Sequence, residues 1–93
     1  MENSNTTYRT KDDWIKHVQE LALLVMKLTD EIPFTYSNTE IIKQITRSSN
    51  STAANYRATK RTKSTADFMN KLKIVEEECD ETMYWLEIIQ QRI

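Results

Sequence analysis

Apolar residues recur along this chain at steps of three and four, in three long stretches. In the first, Trp14, Val18, Leu21, Val25 and Leu28 share one helical stripe, widened by Ile15, Ala22 and Met26. Thr10 fits an N-cap, and Asp12 and Asp13 occupy the first turn, where the helix dipole favours negative charge. The run Leu21-Ala22-Leu23-Leu24-Val25-Met26 is apolar on every side, so this helix expects neighbours on more than one face. Pro33 lacks an amide donor and disfavours helix at the residue before it. The pattern predicts a helix over about 11–30.

The second stretch opens on Ser37-Asn38-Thr39-Glu40, which has capping-box spacing, and continues through Ile41, Ile45, Ser48, Thr52 and Tyr56. Its middle, Ser48 to Ala54, is small and polar, with poor intrinsic helix propensity; helicity there must come from packing. The third opens on Ser64-Thr65-Ala66-Asp67 and carries Phe68, Leu72, Val75, Cys79, Met83, Leu86 and Ile89 (or Ile93) on one stripe. Ile74, Trp85 and Ile88 lie off that stripe, with Tyr84 beside it. Helices are expected over about 38–59 and 65–91, within a single domain spanning 1–93. Residues 1–9 are polar and expected to fray.

The composition agrees with an all-α chain. There is no glycine and one proline, whereas a β-rich protein of this length draws heavily on both for its turns. Lack of glycine also argues against phosphate-cradling loops, and so against P-loop and Rossmann sites. The single cysteine permits no intrachain disulfide. No signal peptide and no membrane-length apolar run is apparent, so a cytoplasmic location is expected.

Net charge is −1, but it is unevenly placed: −3 over residues 1–42, +7 over 43–75 and −5 over 76–93. The candidate nucleic-acid contact is the stretch Arg57, Lys60, Arg61 and Lys63, four cations at the junction of the second and third helices. The alternative reading is a charged, solubilising loop with cations placed at a helix C-terminus. Arg47, Ser48, Ser51 and Asn55 share a face and are a candidate polar network fixing helix register. Ile74, Tyr84, Trp85 and Ile88 are candidates for an oligomer contact.

Three sharper readings are set aside. The acidic run Glu76-Glu77-Glu78-Cys79-Asp80-Glu81 lacks the Glu-x-x-His of di-iron bundles, because the lone histidine, His17, follows Trp14 at that spacing. Asp13, His17 and Glu20 share a face but read as exposed side chains rather than a metal site. Cys79 sits on the apolar stripe without an activating base, and Trp14 on the first stripe reads as core. No catalytic residue, cofactor or metal is expected, and the chain does not read as an enzyme.

Several segments carry a family resemblance: Arg47-Ser48, Ser51, Ala54-Asn55 with Arg57, Ser64-Thr65-Ala66-Asp67-Phe68, Lys71-Leu72 and Glu81-Thr82-Met83-Tyr84-Trp85-Leu86-Glu87. Glu20-Leu21-Ala22 and Lys27-Leu28-Thr29 add to it. The chain resembles the four helix bundle proteins encoded by intervening sequences in bacterial large-subunit ribosomal RNA genes, which are related to accessory proteins of diversity-generating retroelements. The resemblance implies antiparallel helical bundles that assemble into homo-oligomers, commonly rings of five, with no established enzymatic activity. One branch binds nucleic acid beside reverse transcriptases. It also implies a fourth helix after the Trp-Leu-Glu ending, where this sequence stops at Ile93, and an acid after Asn-x-Arg, where Ala58 stands.

The resulting expectation is an all-α, antiparallel up-down bundle of three long helices. Its surplus apolar faces call for a homo-oligomer, by the resemblance a pentamer. The expected function is a non-enzymatic scaffold or adaptor that binds itself and a partner protein, with RNA or DNA binding through the basic turn as the alternative.

Overall fold

The computed structural model describes residues 10–92. Three α-helices follow one another, α1 (Lys11–Thr29), α2 (Tyr36–Ala58) and α3 (Thr65–Arg92), with a 3₁₀ turn at Thr59–Arg61 between the last two. The described residues contain no strand. The segment expected to fray, and Ile93, lie outside the described residues.

Each helix start is fixed by a side-chain cap. The Thr10 hydroxyl accepts from the Asp13 amide at 3.1 Å, and Asp13 returns the bond to the Thr10 amide, a closed capping box. At α3 the Ser64 hydroxyl accepts from the Asp67 amide at 3.0 Å. The start of α2 differs from the expected one. Thr35, in extended conformation, caps the helix by accepting from the Asn38 amide at 3.1 Å, and Ser37 falls inside the first turn. The Asn38 side chain reaches back to the Pro33 carbonyl at 3.1 Å, which ties the turn down and settles the earlier start.

The helices α1 and α3 both lie against α2, and their backbones stay apart. Between α2 and α3 the contacts pair Asn38 with Arg92 and Ser48 with Thr82, so numbers rise on one helix as they fall on the other. The Asn50 amide group approaches the Met26 sulfur, while Asp12 meets Lys60, giving α1 and α2 the same relation. The result is flat, 48 × 36 × 17 Å. Its radius of gyration, 15.7 Å, exceeds the roughly 12–13 Å of a compact chain this long.

The core is correspondingly thin. Val25, Ile32, Ile41, Ile45 and Ile89 form it, with Ile42, Trp85, Leu86 and Ile88 packed alongside. The α2 stripe runs as its periodicity predicts, and small Ser48, Ser49 and Thr52 are buried on it. The Ser49 and Thr52 hydroxyls donate to carbonyls three or four residues back and the Ser48 hydroxyl bonds to that of Thr82, so burial leaves none of them unbonded.

The α1 stripe is a correction. Ala22, Val25 and Thr29 are its buried residues, whereas Trp14, Leu21 and Leu28 are exposed. A helix apolar on all sides can turn any face inward, and α1 meets one neighbour, through its smaller residues, which allow close approach to α2. On α3, Met83 is likewise exposed and Thr82 is buried in its place, because the Thr82 hydroxyl meets Ser48 across the seam.

Candidate interaction surfaces

The end of α2, the 3₁₀ turn and the start of α3 bring the predicted cations together at one end of the molecule. Arg57, Lys60, Arg61 and Lys63 are all exposed. Lys60 forms an ion pair with Asp12 at the start of α1. Arg57, Arg61 and Lys63 have no ion-pair partner among the described residues. The Lys11 ammonium lies 4.8 Å from the Phe68 ring centroid and 5.7 Å from that of Tyr56, adding a fifth cation that ties the three helices at this end.

The polar set on α2 divides into two parts. Arg47 donates to Glu78 at 3.2 Å and pairs with Glu81 at 2.6 Å. Beneath it, the Ser48 and Thr82 hydroxyls meet at 2.8 Å, both buried; Thr82 donates to the Glu78 carbonyl and so accepts from Ser48. Ser51 and Asn55 stand apart from this seam: the Asn55 amide group donates to the Ser51 carbonyl and hydroxyl within α2. The expected four-residue network is therefore a two-residue seam, because the Asn55 amide group bonds within α2 rather than across to α3. Thr82, Glu78 and Glu81 are the partners that periodicity missed. Their signal was a hydroxyl on an otherwise apolar stripe with two acids flanking it.

The electrostatics follow from these distances. The hydrogen bond from Arg47, aided by the Trp85 indole N–H, holds the Glu81 carboxyl below its ordinary value against the opposing effect of burial. Glu78 first, then Glu81, raises the Arg47 guanidinium further above neutrality. The second oxygen of Glu78 is buried without a hydrogen-bond partner.

The expected oligomer contact residues lie on α3, where Trp85 and Ile88 also pack against the core. Ile74 and Tyr84 are exposed, and Trp85 and Ile88 are half-buried. Tyr84 and Trp85 stack edge to face at 4.9 Å between centroids. A larger apolar surface lies on α1, where Trp14 (44% exposed), Leu21 (42%), Leu24 (61%) and Leu28 (38%) share one side. Trp14 is thus a surface residue and not core, with its ring edge-on to His17. On the other side of α1 a groove of about 380 Å³ separates it from α2, lined by Leu23 and Met26 against Ala53 and Ala54, with Arg57 and Arg61 at one end.

The metal readings have no geometric support. His17 Nδ1 lies 3.9 Å from Glu20, both side chains being more than half exposed. No group of three histidine, cysteine or acidic side chains that could hold a metal occurs among the described residues. Cys79 is half-buried with a free thiol.

Residues 10–92 match the family model of the 23S rRNA-intervening sequence protein. The chain belongs to that family. It is similar to a crystal structure of a protein of unknown function from the S23 ribosomal protein family of Bacteroides thetaiotaomicron, at 35% identity and a TM-score of 0.73. That match covers 89% of this chain and 75% of the other. No curated protein matches. Family membership gives the all-helical fold and leaves the function open. No helix among the described residues is long and apolar enough to cross a membrane.

Proposed function

We propose that this family member is a non-enzymatic, homo-oligomeric scaffold: an antiparallel helical layer that copies of itself complete, in a ring of five, to present a surface to a partner protein. The observation that carries this is the uncovered side of α1. Four large apolar side chains there, Trp14, Leu21, Leu24 and Leu28, are each more than a third exposed. Next to them in sequence Phe34 and Tyr36 are almost wholly exposed. A contiguous apolar side of this extent marks a contact surface rather than the scattered apolar residues of an ordinary exterior. The flat shape and thin core point the same way, because a small chain with an incomplete core gains stability by association.

Sedimentation at micromolar concentration tests the reading. The wild-type chain is expected to sediment well above its 11.0 kDa monomer mass, and Leu24→Gln with Leu28→Gln is expected to shift it toward monomer. A wild-type monomer would sink the proposal.

A second reading rests on the exposed cations at the basic end. Arg57, Arg61 and Lys63, unpaired within the described chain, would bind RNA or DNA through phosphates without sequence preference. Binding measured at about 50 and 200 mM salt decides it, since several phosphate contacts weaken steeply over that range. Loss of binding on changing Lys60, Arg61 and Lys63 to glutamate supports this reading; no binding at the lower salt removes it.

A further inference from the structure

Two surfaces are left uncovered among the described residues, one bearing guanidiniums and the other carboxylates. The first is the groove between α1 and α2. Its floor holds the small side chains Ala53 and Ala54 and its α1 wall holds Leu23 and Met26, a shape that admits another helix closely. Arg57 and Arg61 close one end, and neither has an ion-pair partner among the described residues.

The second surface is the outer stripe of α3. Ile74, Glu77, Tyr84 and Ile88 recur at helical spacing on one side of that helix. Ile74, Glu77 and Tyr84 are exposed and Ile88 is half-buried. Asp80 flanks the stripe, and neither it nor Glu77 has an ion-pair partner among the described residues. After Lys73 and Ile74 the acids Glu77 and Asp80 come first on this side, and Tyr84 and Ile88, the latter partly packed on the core, follow. The groove has the matching order, with guanidiniums at one end and Leu23 and Met26 toward the other.

The lengths also match. From Glu77 to Ile88 the helix rises about 16 Å, and from Asn50, at the far end of the groove, to Arg61 the chain rises about the same.

We infer that the α1–α2 groove of one copy receives the outer α3 stripe of the next, with Glu77 and Asp80 against Arg57 and Arg61 and with Tyr84 and Ile88 against Leu23 and Met26. The inference rests on the self-association proposed above and adds to the contact around Leu24 a second, directional one. Groove and stripe are different patches of one chain, so the contact is head-to-tail. Contacts of that kind propagate from copy to copy and close into a ring when the rotation allows. The stripe of a second copy is the favoured occupant because both halves occur in every chain, in equal number and with complementary charge. The apolar side of α1 around Leu24 remains a separate surface in this arrangement.

Two charge-reversed chains test it by sedimentation, with helicity checked by circular dichroism. In one, Arg57→Glu and Arg61→Glu spoil the groove; in the other, Glu77→Arg and Asp80→Arg spoil the stripe. Glu81 is left alone because it holds Arg47. Each variant is expected to keep its helices and to form a smaller assembly than wild type, its contact weakened about tenfold or more. An equimolar mixture is expected to form assemblies larger than either variant alone, since each groove then meets a stripe of opposite charge. A chain carrying all four reversals is expected to recover the wild-type assembly. Two variants that sediment like wild type would overturn the inference while leaving self-association standing. A mixture that sediments no larger than either variant alone would overturn the pairing of these two surfaces. If the groove variant assembles normally but loses RNA binding, the arginines serve phosphates and the inference falls. A monomeric wild type would remove both this contact and the scaffold reading.

Discussion

At the residue scale, the seam between α2 and α3 shows how polar groups are tolerated in so thin a core. Ser48 and Thr82 bury their hydroxyls against each other at 2.8 Å, and Thr82 donates to the Glu78 carbonyl, so neither is left unsatisfied. Above them Arg47 clamps Glu78 and Glu81, and the clamp is half open to water, which limits a single pair there to about 1 kcal/mol or less. The Glu81 carboxyl is held below its ordinary value in the folded chain, so its contribution is present above the unfolded value, near 4.5, and is lost as pH falls through the folded one. Arg47 stays charged across that range and adds no slope. Urea unfolding at a series of pH values is therefore expected to show wild type losing more stability than Glu81→Gln between about pH 6 and pH 3. Parallel curves for the two proteins would remove Glu81 as an acid-sensitive contact. Arg47 and Ser48 were visible in the sequence as polar residues on one face, but their partners lie more than thirty residues away and no local spacing encodes them.

At the element scale, helix existence was readable and helix registration was less so. Thr10 and Ser64 cap the helices where the sequence places them. For α2 the sequence places the cap at Ser37, and the structure places it two residues earlier, at Thr35. The Asn38 bond to the Pro33 carbonyl selects Thr35, and that bond depends on how the chain leaves α1. Thr35→Ala is expected to destabilise the fold by about 1 kcal/mol, the ordinary cost of a lost N-cap, and Ser37→Ala is expected to be near neutral. Thermal or urea unfolding of the two variants checks this; equal losses would return the cap to Ser37. The burial pattern divides along the same line. The α2 stripe is unambiguous because α2 has polar flanks, so one face alone can turn inward. The α1 stripe differs from its expected course because the run Leu21 to Met26 is apolar on every side, and the choice falls to the small residues around Ala22 that let α2 approach.

At the scale of the whole molecule, the three helices make a layer in which α2 has two neighbours and α1 and α3 have one each. That arrangement leaves apolar surface on both outer helices, and the radius of gyration records it. A chain stabilised by copies of itself has a melting temperature that rises with protein concentration, because mass action favours the assembled fold. Scans over a hundredfold range of concentration are expected to show that rise. A constant midpoint would mean that the layer is stable alone and that its open faces await a different partner. Charge is sorted on the same scale: the cations of residues 57–63 gather at the end where α1 begins, while the acids of α3, from Glu76 to Glu87, lie farther along that helix.

The sequence by itself determined the helical class, the three elements to within two residues at each bound, the cap at two of the three starts and the basic turn between the second and third helices. These are local properties, set by periodicity, caps and the absence of glycine, and they need no knowledge of neighbours. The tertiary structure decided which face of α1 is covered, which residues answer Arg47 and Ser48, and that Ser51 and Asn55 stand apart from them. It also placed Leu23 and Met26 against Ala53 and Ala54 to make a groove. Each of those depends on how helices distant in sequence cross and approach, a quantity set by packing between side chains that the pattern of a single helix does not contain.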